Sequence, residues 1–131
     1  MLNAALIVIA NDEDKVLLQH KDSSAPKNPN RWCLFGGGIE SGESPKDAIK
    51  RELIEELEWN VDKCILFLEN ESLGIHRHIF FIKTTRLASE LKKNLHEGDN
   101  LGYFSKEELE NIDIIEPHLE ILMSYYDNKI I

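Results

Sequence analysis

Positive charge is scarce in this chain: 15 lysines and arginines stand against 24 aspartates and glutamates, a formal net charge of −9 over 131 residues. That balance opposes binding to nucleic-acid backbones or anionic membranes, which attract basic surfaces. An anionic small molecule would have to arrive with cations or meet a local positive patch. Cysteine is equally sparse. Cys33 and Cys64 form no C-x-x-C or Cys/His zinc spacing, so the expectation is two reduced, buried thiols in a cytoplasmic protein rather than a disulfide framework. Long apolar runs are missing too. The run Ala4 to Ala10 lacks a basic flank and leads straight into Asn11-Asp12-Glu13-Asp14, so it reads as a buried strand, not a signal peptide or a membrane span. No repeat or low-complexity segment is present. With 42% hydrophobic and 30% charged residues, the composition is that of one globular domain over residues 1–131.

Local patterns supply the elements. Residues 3–10 and 15–20 are apolar-rich runs around a turn-forming Asn11 to Asp14, hence a β-hairpin. Asp22 to Asn30 carries Ser23, Ser24, Pro26, Asn28 and Pro29 and reads as a surface loop. Trp32 to Phe35 reads as a short strand that stops at Gly36-Gly37-Gly38. Ser44-Pro45 starts a helix, as N-cap and first helical residue, with Asp47 favouring its N-terminus. Ile49, Leu53, Ile54 and Leu57 give its apolar stripe. Its end is expected near Glu58, with Asn60 as left-handed cap. Val61 to Glu69 and Ile75 to Thr84 read as strands joined by a turn at Ser72 to Gly74, and Leu95 to Gly98 and Leu101 to Phe104 as shorter ones. Ser105 and Glu108 form a capping-box pair. Pro117 opens a last helix with Leu119, Leu122, Met123 and Tyr126 inward. The sum is an α/β fold, a mixed sheet covered by helices.

The chemistry is concentrated in residues 36–59, GGGIESGESPKDAIKRELIEELEW. There Gly37, Glu43, Arg51, Glu52, Glu55 and Glu56 occupy the frame G-x5-E-x7-R-E-U-x-E-E, with Leu53 as the bulky aliphatic U. At 100° per residue, Glu52, Glu55 and Glu56 fall within roughly one 100° sector of the helix. Bare, these i,i+3 and i,i+4 neighbours repel one another. A hard divalent cation among them, Mg²⁺ or Mn²⁺, would relieve that. Glu43, just before the helix, can accept a charge-assisted hydrogen bond from Arg51.

This frame resembles the Nudix box of hydrolases that cut nucleoside diphosphates linked to another group. The resemblance implies an α/β/α sandwich with a mixed β-sheet between helices. It also implies Mg²⁺ or Mn²⁺ held by Glu52, Glu55, Glu56 and a Gly37 carbonyl, and water attack on a bridged phosphorus. For the general base it offers Glu56 or, in a later loop, Glu97, with Asp99 weaker. Arg31-Trp32 and the run from Glu97-Gly98 through Tyr103-Phe104 to Glu107-Glu108-Leu109 extend the likeness. Arg31, Phe35 and Tyr103 are candidates for substrate contact.

Three positions depart from the family pattern. Glu58-Trp59 replaces the usual Gly-aliphatic ending, which predicts a shifted helix end. Phe35 stands where many members have proline, and Ile115 where members acting on oxidised guanine nucleotides often have asparagine. The implied activity is a pyrophosphohydrolase of nucleoside triphosphates, with nucleotide sugars or dinucleoside polyphosphates as the alternative. A non-catalytic nucleotide sensor is the competing class. Lys21 reads as loop surface, and His96 as a loop histidine beside Glu97. His76 and His78 share a strand face, but with Arg77 between them and no third ligand in the nearby sequence they read as polar surface. Pairing of two copies stays open, with Ile130-Ile131 as part of an interface or a frayed end.

Overall fold

The structure, a computed structural model, describes residues 2–128, so Ile130-Ile131 lie outside the described residues. Its centre is a seven-stranded mixed sheet. Strand β1 (Leu2–Ala10) is apolar from Ala4 onward, and from Ala5 to Ala10 it is buried on both faces. Ala5, Ile7 and Ile9 enter one core layer and Leu6, Val8 and Ala10 the other. On one side β1 runs parallel to β6 (Ile75–Lys83), which pairs antiparallel with the edge strand β5 (Ile65–Ser72). On its other side two strands share it. The hairpin partner β2 (Val16–His20) pairs at Ala10↔Val16, while β4 (Phe35–Gly38) pairs with Ala4 to Ile7. Strands β3 (Trp32–Cys33) and β7 (Asn100–Phe104) flank β2.

Between β3 and β4 the chain changes partner, leaving β2 for β1 at Leu34. The expected single strand of residues 32–35 is therefore two, and the glycines continue it instead of ending it. Gly36 explains why. A Cβ there would lie 2.2 Å from the Ala5 carbonyl oxygen, at φ +132°, so only glycine lets β4 approach β1 this closely.

Helix α1 (Pro45–Leu57) and the short α2 (Ala88–Lys92) cover one face of the sheet. Helix α3 (Glu116–Asp127) and a 3-10 turn at Glu108–Asn111 cover the other. Ser44 accepts from the Asp47 backbone N–H, as its type at the N-cap dictates. In the stripe of α1, Ala48 takes the place expected for Ile54, which is 49% exposed. On α3 the buried residues are Ile121, Leu122 and Tyr125, with Leu119, Met123 and Tyr126 packed at the margin. Ser105 and Glu108 exchange side-chain-to-backbone bonds at 3.2 and 2.8 Å, the capping box expected.

Other expectations need correction. Residues 61–64 are not strand. Trp59, Val61 and Cys64 are buried there by packing on the α1 layer, which gives an apolar run without a ladder. Residues 95–98 are irregular chain, bent at 97 and 98, and α2, with only Leu91 buried, is too short to announce itself by periodicity. Cys33 and Cys64 are free and buried, as expected.

The end of α1 does not shift. Glu58 itself takes the left-handed conformation (φ 52°, ψ 36°), not Asn60. A backbone bond from the Glu58 N–H to the Ile54 carbonyl closes the helix as a simple left-handed cap, and the Trp59 N–H reaches back to the Leu53 carbonyl. The buried Trp59 ring, with the Arg86 guanidinium 5.0 Å from its centroid, holds the chain there. We expect Glu58→Gly to raise stability by about 0.5–1 kcal/mol by removing the Cβ penalty of that conformation. Urea unfolding would show a higher midpoint at unchanged m-value, and a drop would count against this account.

Candidate active site

Helix α1 carries three of its glutamates into different surroundings. Glu56 is 5% exposed, and its Oε1 accepts from the Gly36 backbone N–H at 3.2 Å. Glu52 lies against β4 so closely that a Cβ on Gly37 would sit 2.6 Å from its Oε1. Glu55 remains exposed. Arg51 joins them. Its Nε and Nη2 grip both Glu43 carboxylate oxygens at 2.7 and 3.0 Å, and Nη1 reaches Glu52 at 3.0 Å and Glu55 at 3.1 Å. A further bond runs from Nη2 to the Gly38 carbonyl. The fork geometry of guanidinium is what allows one side chain to tie loop, strand and helix. Hydrogen bonding from Arg51 holds the Glu43 carboxyl below the usual carboxylate range.

The later loop is docked onto the same helix. The His96 backbone N–H donates to the Glu56 carbonyl at 2.8 Å, and the His96 ring contacts Glu58. Gly98 (φ +77°) could not carry a Cβ, which would fall 2.3 Å from the His20 carbonyl oxygen. This tight approach presents Glu97 to the cleft that Glu56 lines. Asp99 is instead engaged by His20, Nδ1 to Oδ1 at 2.7 Å.

That cleft, about 390 Å³, opens between β4, the end of α1 and the start of α3. Glu56 and Glu97, beside Gly37, give it one acidic side, and Glu116 lines it at the start of α3. Lys21, Arg77 and His118 also line it. Arg77 is buried, with Nη1 on the Ser72 hydroxyl at 2.8 Å and on its carbonyl. His118 Nδ1 accepts from the Leu34 N–H at 3.0 Å, so its Nε2 carries the hydrogen. Burial, with Arg77 and Lys21 adding repulsion, pushes its pKa down to about 4, and it is neutral at pH 7. Gln19 also lines the cleft. Its Nε2 donates to the Leu34 carbonyl, while its buried Oε1 has no partner among the described residues.

The donor set suits a hard cation. Burial first, and the adjacent Glu52 second, push the Glu56 carboxyl up to about 9, so without metal it holds a proton that a divalent ion would displace. The linkage has a definite sign. The unfolded chain loses this proton near its ordinary value of 4.5 and the folded chain only near 9. Glu56 therefore withdraws stability as pH rises through that window. We expect added Mg²⁺ to raise Tm more at pH 8.5 than at pH 6, and Glu56→Gln to flatten the difference. An equal Mg²⁺ shift at both pH values in the wild type would refute the assignment.

A family model, the NUDIX domain, matches residues 2–125. The chain belongs to the NUDIX family. It is 24% identical over 126 residues to diphosphoinositol polyphosphate phosphohydrolase 2 of Rattus norvegicus, covering 95% of this chain and 67% of that protein. Among solved structures it resembles the MutT protein of Methanosarcina mazei Go1, with a TM-score of 0.75 at 18% identity over 96% of this chain and 92% of that one. The NUDIX domain of Shewanella oneidensis NrtR, solved with ADP ribose, gives a TM-score of 0.76 at 17% identity over 97% and 87%. This Nudix chain is a hydrolase, and its α/β/α sandwich is that of its structural neighbours.

The structure brings Gly37, Glu52, Glu56, Arg51, Glu43 and Glu97 to one locality, with Glu55 at its outer edge. It does not bring Arg31, Phe35 and Tyr103 to the cleft, among whose described lining residues none of them appears. Phe35 is fully buried in the layer under α1, because the strand alternation that exposes Gly36 turns its neighbour inward. Tyr103 donates to the Arg86 carbonyl at 2.9 Å. Arg31 is a clamp, bonded to Asn28, Asp113, Glu116 and the Ile114 carbonyl, that fastens the loop of residues 22–30 to the start of α3. Sequence reasoning missed Gln19, Arg77 and His118 as lining residues. Arg77 carried a signal, a charge at an inward position of a strand; the other two carried none. No described helix is long and apolar enough to cross a membrane.

Proposed function

We propose that this Nudix hydrolase is a divalent-cation-dependent pyrophosphohydrolase of nucleotides, with nucleoside triphosphates as its first substrate class. One observation carries the reading: the buried Glu56 carboxyl, beside Glu52 on α1, shares a cleft with Lys21 and Arg77. Glu52, Glu56, the outer Glu55 and the Gly37 carbonyl are the residues that would hold Mg²⁺ or Mn²⁺. Bound there, the ion supplies neutralisation of the charge that develops on phosphate oxygens. Arg51 and Glu43 are positioning residues, since they act through Glu52 and the loop. Glu97 is an exposed carboxylate on the cleft, suited to take the proton of the attacking water, with Glu56 as its rival. Lys21 and Arg77 would bind phosphate oxygens.

A densely phosphorylated inositol would need more cations than the Lys21, Lys27 and Arg77 that line the cleft of this acidic chain.

A phosphate-release screen tests this over canonical and oxidised nucleoside triphosphates, nucleotide sugars, dinucleoside polyphosphates and a diphosphoinositol phosphate, with and without Mg²⁺. Triphosphate reactions are coupled to inorganic pyrophosphatase and the dinucleotides and sugars to alkaline phosphatase. The diphosphoinositol reaction is read by direct detection of phosphate. Turnover of a nucleotide that needs both metal and Glu56 is expected. Turnover of the inositol compound alone would overturn the substrate class, and nucleotide binding without turnover would indicate a sensor.

A further inference from the structure

The face of the β5–β6 hairpin opposite Arg77 carries a group the hydrolase chemistry does not use. Strand alternation sends the Arg77 side chain toward the cleft and those of His76 and His78 to the other face of β6. The antiparallel register sets Glu69 directly across from His78 and Glu71 across from His76. The neighbouring strand thus places Glu69 beside the two histidines as a third potential ligand, which the nearby sequence did not show.

We propose that Glu69, His76 and His78 form a second metal site, for a borderline transition ion such as Zn²⁺, with Glu71 orienting His76. Among the described residues this is the one His/Cys/Asp/Glu group whose ligand atoms gather within 4.8 Å of one another. His76 Nε2 lies 2.9 Å from Glu69 Oε1, and His78 Nδ1 lies 3.4 Å from the same oxygen. Tetrahedral Zn²⁺ with bonds of about 2.0–2.1 Å separates its ligand atoms by roughly 3.4 Å, so small side-chain rotations suffice. The two rings are 4.6 Å apart and tilted by 37°, close enough to share an ion without stacking face to face.

These contacts also satisfy an ion-pair network, but such a network needs no convergence of two imidazoles on one oxygen, and here His76 Nε2 and His78 Nδ1 both approach Glu69 Oε1. The other nitrogen of His76 is engaged as well. That nitrogen, Nδ1, lies 2.8 Å from Glu71 Oε1, the carboxylate–histidine arrangement that fixes the tautomer and raises the basicity of a metal-binding imidazole. Both histidines are mostly but not fully covered, leaving a path for an ion and a fourth position for water. Two nitrogens and one oxygen disfavour Mg²⁺, which takes oxygen ligands, so the two sites of this chain select different ions.

Zn²⁺ titration by calorimetry, in Mg²⁺ excess and on the Glu52→Gln/Glu56→Gln background, reads this site apart from the carboxylate helix. One equivalent is expected to bind. His78→Asn and Glu69→Gln should each weaken binding by more than about 30-fold and Glu71→Gln by about 10-fold. Histidine-ring NMR signals of His76 and His78 should shift with Zn²⁺, and the metal should raise the Tm of the parent but not of His78→Asn. Circular dichroism in EDTA confirms that the variants fold. Binding that survives both His78→Asn and Glu69→Gln within threefold, or that leaves the His76 and His78 resonances unmoved, would overturn the proposal.

Discussion

Glu56→Gln is expected to lower kcat by at least about 100-fold at saturating Mg²⁺ while the metal-free protein stays folded. Glutamine keeps the shape of the side chain and can still accept from the Gly36 N–H, which donates at 3.2 Å. It also removes the buried titratable carboxyl, so metal-free stability above pH 7 should hold or rise. What it cannot do is trade a proton for a cation. Loss of turnover together with retained or improved Tm therefore separates a ligand role from a packing role. A rate within threefold of the parent on the physiological substrate would remove Glu56 from the site.

The second large effect is expected at Arg51. Arg51→Gln should raise the Mg²⁺ concentration for half-maximal activity by about 10–100-fold, the usual range for residues that orient metal ligands. Its guanidinium is committed to Glu43, Glu52, Glu55 and the Gly38 carbonyl at once. Without it, neighbouring carboxylates are left uncompensated and the loop before α1 loses its anchor. Lysine should not rescue, because a single ammonium cannot span that fork. The readout is the Mg²⁺ dependence set against KM for substrate: a positioning role moves the first much more than the second. Parent-like metal dependence in Arg51→Lys would refute the geometry.

Much of this site was legible because its residues lie within one helical turn or one loop of each other. The spacing of Glu43, Arg51, Glu52, Glu55 and Glu56 fixes which side chains can meet on a helix, and Gly37 marks where the backbone must come close. Residues that reach the cleft from distant elements share no such spacing, and only Arg77, a charge at an inward strand position, gave any sign. Gln19, Arg77 and His118 converge only once β2, β6 and α3 are stacked. Phe35 and Tyr103 misled for the opposite reason: an aromatic beside a motif has the same letter whether it stacks on a base or fills a core. Glu58 shows a third limit. Its sequence context argues against a left-handed residue, and the burial of Trp59 overrides that local preference.

The change of partner at Leu34 has a mechanical consequence. Because β1 is shared by two strands on one side, the sheet has a seam. Glu56 belongs to a helix whose apolar side packs in one layer, yet its carboxyl reaches a cleft lined by Leu6 and Leu34 of the other. Glu56 thus links the two layers. Loosening Leu53 or Leu57, the buried neighbours of Glu52 and Glu56 on α1, would tilt the carboxyl that lines the cleft. In this fold the packing of the helix and the tuning of the site are one property, and selection cannot adjust either alone.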